Sequence, residues 1–234
     1  MEDVTIKEKE LIHQWRNVFR YTTGAQLVLF DGTGAEYLGI IEQINPDFAD
    51  VHILDKKVKE ASAADTEGGK GQIFLAAALI KNDNFDWILQ KATELGVSGI
   101  LPVIAERTVK KNLNMERSVR IIHEAAEQSG RATIPTLEKP KSLTEVLEFF
   151  EEKYGDHKNE NIIVCQGGKD AVTWNKKLLS KKSPTLFIVG PEGGWSPKEL
   201  EFFDKKEYQK LSIGKNVLRA ETAALALLAL ALGQ

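Results

Sequence analysis

Val189-Gly190-Pro191-Glu192-Gly193-Gly194-Trp195-Ser196-Pro197-Lys198-Glu199 is the stretch whose reading decides the fold. The apolar run 185–189 ends directly in a glycine-rich turn. Ser196-Pro197-x-Glu199 then supplies an N-cap residue, a proline at the first helical position and a capping-box glutamate, so a helix starts at once. A buried strand, a tight bend and a helix in that order describe an α/β unit. Main-chain amides of the bend face open space at the C-terminal edge of a strand, where ligands of open α/β sheets bind. On its own, a Gly-Gly bend is equally a ligand-free connection. It is not a phosphate loop, because Gly-x-x-x-x-Gly-Lys-Ser/Thr is absent and no Gly-x-Gly-x-x-Gly follows a strand.

A second bend lies downstream in Leu211-Ser212-Ile213-Gly214-Lys215-Asn216-Val217-Leu218-Arg219-Ala220-Glu221-Thr222-Ala223-Ala224. A short strand and a glycine turn lead through a polar cluster into a helix that is apolar on nearly every side, which implies burial against more than one surface. Arg219, Glu221 and Thr222 therefore sit at a helix N-terminus beside the core. Read locally, Arg219 and Glu221 form an ion pair and Thr222 is a cap.

Working outward, strands alternate with helical patterns from Ile73 onward, which argues for a largely parallel sheet flanked by helices. Phe85, Ile88, Leu89, Ala92 and Leu95 recur at helical spacing between the cap candidates Asn82, Asp83 and Asn84 and a terminating Gly96. A second helix runs over 115–129 and stops at Gly130, and a third opens with the capping box Ser142 to Glu145. Upstream, 26–31, 36–44 and 49–58 are strand-like, with a Gly-rich turn at Gly32-Thr33-Gly34 and a break at Asn45-Pro46, so a small β domain precedes the α/β domain. The polar, Gly-rich stretch 59–72 reads as the linker between domains 1–68 and 69–234.

Composition narrows the function. A hydrophobic fraction of 42% beside 28% charged residues suffices for a buried core and excludes wholesale disorder. With 31 basic and 34 acidic residues the net charge is −3, so any nucleic-acid contact must come from a local basic patch. A single cysteine, Cys165, excludes an internal disulfide and points to the cytoplasm. The scattered His13, His52, His123 and His157 lack zinc-ligand spacing, so no metal is expected. The acidic opening lacks a signal core, and the apolar stretch 223–232 is about half of a bilayer span, so neither export nor membrane insertion is read.

Together, Ile188-Val189-Gly190-Pro191-Glu192-Gly193-Gly194 and Ile213-Gly214-x-x-Val217-Leu218-Arg219-x-Glu221-Thr222-Ala223 resemble the cofactor-site signatures of the SPOUT RNA methyltransferases. Within that class the chain resembles the RsmE-type 16S ribosomal RNA (uracil-N3)-methyltransferases. Three further motifs match in order: Leu89-Gln90-Lys91-Ala92-Thr93-Glu94-Leu95-Gly96-Val97, Glu106-Arg107-Thr108, and Glu124-Ala125-Ala126-Glu127-Gln128-Ser129-Gly130-Arg131. Asp31-Gly32-x-Gly34 is similar to the family's small β-barrel, PUA-like RNA-binding domain. The resemblance implies a trefoil-knot domain that binds S-adenosylmethionine, a homodimer to which the apolar C-terminal helix would contribute, and ribosomal RNA of the small subunit as partner. By similarity, Gly190, Glu192, Gly193, Gly194, Leu211, Ile213, Gly214, Leu218 and Thr222 hold the cofactor.

Three departures from the family pattern stand out: the acidic Glu2-Asp3 start, which leaves room for a missing or replaced first strand, Lys215-Asn216 where Pro-Arg is common, and Gln166-Gly167-Gly168 where an acidic residue often follows the strand. For the chemistry, N3 of uracil must lose a proton as it attacks the methyl group. Arg219 is read as the cation that braces the uracil oxygens or the cofactor carboxylate, and Glu221 or Glu192 as proton acceptor. For RNA the candidates are Arg20, Lys81, Lys91, Arg107, Lys110, Lys111, Arg117, Arg120 and Arg131, with Arg107 and Arg131 inside family motifs. Trp174 and Trp195 are read either as base-stacking platforms or as packing lids. Alternatives are a ribose 2′-O-methyltransferase of the same superfamily and a non-catalytic ribosome-assembly factor.

Overall fold

A computed structural model describes residues 3–58, 71–81, 83–154, 161–166, 171–175, 178–179 and 183–232. Most of the expected linker, the boundary at 68, the cap candidate Asn82 and the pair Gly167-Gly168 lie outside the described residues. The chain divides into two compact units, Met1–Ala61 and Ser62–Gln234.

The first unit contains β1 (Asp3–Ile6), α1 (Lys9–His13) running into a π-helical turn at Gln14–Val18, β2 (Gln26–Phe30), β3 (Ala35–Ile44) and β4 (Ala49–Val58). Its antiparallel sheet has the order β1-β4-β3-β2. Ala49, Val51 and Ile53 alternate onto one face and bury against Trp15, Leu27 and Ile41, as the two-residue period of a strand requires. The acidic start does not abolish the first strand: Asp3 pairs with His52 in register, and its Oδ1 lies 2.6 Å from His52 Nδ1 at the exposed edge. The Asp31 turn closes through Thr33 N–H donating to Asp31 Oδ1 at 2.8 Å and Tyr37 OH donating to Oδ2 at 3.1 Å. The Thr33 hydrogen bonds hold the Asp31 carboxyl below its ordinary value.

The second unit contains β5 (Ile73–Ala78), α2 (Asn84–Leu95), β6 (Gly99–Ile104), α3 (Met115–Ser129), β7 (Thr136–Leu137), β8 (Lys141–Ser142), α4 (Leu143–Tyr154), β9 (Ile162–Cys165), β10 (Val172–Thr173), β11 (Thr185–Val189), α5 (Pro197–Lys205), β12 (Gln209–Ser212) and α6 (Ala220–Leu232). All pairings in its sheet are parallel, in the order β10-β12-β9-β11-β5-β6-β7 with β8 also on β6. A parallel sheet is covered on both faces. Ile73, Leu75 and Ala77 of β5 pack with α2, α3 and α6, whereas Phe74, Ala76 and Ala78 pack with α4 and α5. The expected parallel sheet flanked by helices, preceded by a small antiparallel β unit, is the architecture found.

Local signals explain most helix ends. Gly96 and Gly130 adopt φ 102° and 64° as left-handed caps of α2 and α3. Ser196 and Glu199 form the reciprocal capping box of α5, with Ser196 N–H donating to Glu199 Oε2 at 2.7 Å. Asp83 departs from its reading. It occupies the N-cap position of α2 but makes no capping bond with its side chain.

Candidate active site

Strand register brings the two glycine bends together. Val189 of β11 and Leu211 of β12 both pair with Cys165 of β9, so the chain leaves the sheet at three adjacent points on one edge. Because the strands are parallel, all three C-terminal ends open on the same side. They bound a cavity of about 1010 Å³. Gly190, Glu192, Gly194, Leu211, Ile213, Gly214, Leu218, Arg219 and Glu221 line it, and so do Asn84, Cys165, Gln166 and Trp195.

Two expected residues lie elsewhere. Thr222 is exposed and lines a separate groove with Trp87, Lys91, Glu94, Leu95, Leu225, Ala226 and Ala229. One helical residue turns the side chain by about 100°, so Thr222 cannot share the face of Glu221. Gly193 faces Arg107, whose Cβ would stand 3.4 Å from a Cβ added at the glycine.

The bends are held from outside. Glu192 Oε1 accepts from the Lys81 N–H at 3.1 Å, tying the β11 bend to the loop after β5. Arg107 Nη1 donates to Gly193 O at 3.0 Å, and Glu199 Oε1 accepts from Glu106 N–H at 2.9 Å. Trp195, 7% exposed, packs edge-on to Phe203 with ring centroids 5.1 Å apart and closes one side of Gly190. Its packing is that of a lid. Trp174 packs tilted on Phe187.

Glu221 is 6% exposed, and Asn84 Nδ2 donates to its Oε1 at 3.3 Å. The locally expected Arg219–Glu221 ion pair is not formed. Arg219 is exposed at the cavity and has no side-chain hydrogen bond or ion pair among the described residues. Cys165 is a free thiol whose pKa burial pushes up to about 11.

Several expected RNA contacts are engaged within the fold. Arg131 Nη1 donates to Thr93 O at 3.1 Å, across the end of α2. Lys91 pairs with Glu94 at 2.7 Å, Arg117 with Asp86 at 2.8 Å and Arg120 with Glu116 at 3.9 Å. Arg107 serves the Gly193 bend. Lys81 and Lys111 are exposed and Lys110 half-buried, on the loops after β5 and β6. Arg20 is exposed on the first unit at φ 55°. Asn84, read from the sequence only as a cap candidate, is a lining residue that sequence reasoning did not assign to the site.

The cavity suits an adenosyl ligand. Leu211, Ile213 and Leu218 give it apolar wall, the buried Gln166 Oε1 has no hydrogen-bond partner among the described residues, and a Cβ placed on Gly214 would meet nothing within 4 Å. The family model described as RNA methyltransferase domain matches residues 67–232. The chain belongs to this RNA methyltransferase family. A second model, RNA methyltransferase PUA domain, matches residues 16–54. The methyltransferase is 31% identical over 223 residues to Ribosomal RNA small subunit methyltransferase E of Rickettsia conorii, covering 93% of this chain and 84% of the relative. It is similar to the structure of a Ribosomal RNA small subunit methyltransferase E from Neisseria gonorrhoeae bound to S-adenosyl methionine. That match has TM-score 0.80 and 27% identity, over 97% of this chain and 90% of that one. A Legionella pneumophila methyltransferase in complex with the bound cofactor SAM matches with TM-score 0.80 and 29% identity, over 98% and 91%. Among the described residues of the methyltransferase, no group of His, Cys, Asp or Glu is arranged to hold a metal and no helix is long and apolar enough to cross a membrane.

Proposed function

We propose that the cavity holds S-adenosylmethionine and that the protein methylates N3 of a uridine in small-subunit (16S) ribosomal RNA. The observation that carries this reading is the meeting of the two glycine bends around one cavity, on either side of Cys165 and Gln166. The ligands of the Neisseria and Legionella structures and the names of the curated relatives support it. Main-chain groups around Gly190, Gly194, Leu211, Ile213, Gly214 and Leu218 hold the adenosyl moiety. Gly193 and Glu192 keep the first bend in place.

When bound, the cofactor supplies a methyl group on a sulfonium, open to in-line displacement. Glu221, the one buried carboxylate among the described residues, receives the N3 proton as N3 attacks. Glu192 is the exposed carboxylate of the two and holds the Lys81 amide, so the buried Glu221 is preferred for that part. Arg219, unpaired at the cavity, braces the uracil oxygens as negative charge develops on them. Lys81 and Lys110, with Arg20 on the first unit, fix phosphates, while Arg107 and Arg131 shape the surface that receives them. The groove of α2 and α6, with Trp87 half exposed and Leu225 and Ala229 along it, is where a second copy packs in a cytoplasmic homodimer.

The test is incubation of the protein with methyl-labelled S-adenosylmethionine and either free 16S RNA or assembled small subunits, followed by nucleoside analysis. Label in 3-methyluridine is expected. Label in a 2′-O-methylated nucleoside, or none, defeats the proposal.

A further inference from the structure

Glu221 is nearly sealed, at 6% exposure, yet no cation among the described residues pairs with it. The side-chain donor that reaches it is an amide: Asn84 Nδ2, 3.3 Å from Oε1 and 137 positions away in sequence. Asn84 is the first residue of α2, which packs against α6, and both residues line the same cavity. Asn84 therefore enters the site from a helix that contributes neither glycine bend. Oε2 of Glu221 has no hydrogen bond to a described residue and is not among the sealed polar atoms that lack a partner. Glu221 lines the cavity, and Oε2 is its oxygen that keeps some exposure there without a described partner.

We propose that Asn84 is a positioning residue for the methyl-transfer reaction, its amide holding Glu221 Oε1 so that Oε2 points at the nucleobase proton. An amide suits this part because it fixes direction without the opposing charge of a salt bridge. It also serves both states of the acceptor, because Oε1 still accepts from Nδ2 once Oε2 has taken the proton. The inference rests on the reading of Glu221 as proton acceptor.

The experiment measures single-turnover methylation of small-subunit RNA by the full chain carrying Asn84→Ala, Asn84→Asp, Glu221→Gln, or Asn84→Ala with Glu221→Gln. Cofactor affinity is measured separately by calorimetry. Asn84→Ala is expected to slow transfer about ten- to a hundredfold, the worth of a hydrogen bond to a charged group, with cofactor affinity kept within about twofold. Asn84→Asp, similar in size but unable to donate, is at least as slow. The double variant is no slower than Glu221→Gln alone, because Asn84 acts only through that carboxylate. A wild-type rate in Asn84→Ala, or a double variant slowed by the product of the two single effects, overturns the inference while a slow Glu221→Gln keeps the acceptor reading. A wild-type rate in Glu221→Gln overturns both. Alanine is favourable in a helix, and where that variant does not fold, Asn84→Asp decides.

Discussion

Gly190→Ala and Gly214→Ala make the most discriminating pair of substitutions, because both add one methyl group and the structure assigns them different consequences for stability. At Gly190 the new Cβ would stand 2.8 Å from Trp195 Cε2 and 3.1 Å from Nε1. The indole cannot yield cheaply, since it is 7% exposed and abuts the fully buried Phe203. Overpacking of this kind costs about 1–3 kcal/mol, or about 2–12 °C in Tm for a chain of this size. The bend must also shift, so cofactor affinity falls with stability. At Gly214 the added Cβ meets nothing within 4 Å and the backbone is outside the left-handed region, so stability stays within about 0.5 kcal/mol. Because Gly214 lines the cavity, affinity is expected to fall on the order of tenfold, about 1.4 kcal/mol. Thermal unfolding and calorimetric titration with S-adenosylmethionine separate the two. The reasoning is refuted if Gly214→Ala lowers Tm as much as Gly190→Ala does, or if it binds the cofactor as tightly as the unaltered protein.

Three other substitutions or conditions have definite outcomes. Arg219→Ala removes an exposed, unpaired side chain, so Tm stays put while single-turnover methylation slows about a hundredfold; an unchanged rate removes Arg219 from the chemistry. Arg107→Ala releases Gly193 O and is expected to weaken cofactor binding several-fold in calorimetry, an effect absent if Arg107 serves RNA alone. With its thiol pushed up from 9.0 to about 11 by burial, Cys165 carries about one thiolate per thousand at pH 8, so iodoacetamide labels it about a hundredfold more slowly than an ordinary thiol. The folded state keeps that proton longer than the unfolded chain, so its contribution to stability is complete below pH 9 and declines between about 9 and 11. Saturating cofactor slows the labelling further if Cys165 lines the occupied cavity; equal labelling rates would place the ligand elsewhere.

What was legible in the sequence follows the range of the forces involved. The ends of α3 and α5 could be read because Gly130 and the Ser196–Glu199 box act within one turn of chain. The glycine bends could be read because a strand stopped at each. Contacts made across the sheet left no such mark. Asn84 looks like a cap in isolation and reaches Glu221 only after α2 and α6 pack. Arg107 and Arg131 look like free cations because the carbonyls they meet, at Gly193 and Thr93, lie 86 and 38 positions away. The acidic start suggests a missing or replaced first strand, yet β1 forms because a four-residue edge strand takes its register from β4, with Asp3 steadied by His52. Thr222 is different: helical phase alone separates it from Glu221, and the sequence contained that information.

Amide hydrogen exchange of the whole chain, with and without S-adenosylmethionine, tests most directly whether one ligand is gripped by both bends. Joint protection of peptides spanning 189–195 and 211–219 is predicted, with 225–232 of α6, which lies outside the cavity lining, unaffected. Protection of one bend without the other, or of neither at saturating ligand, would contradict it.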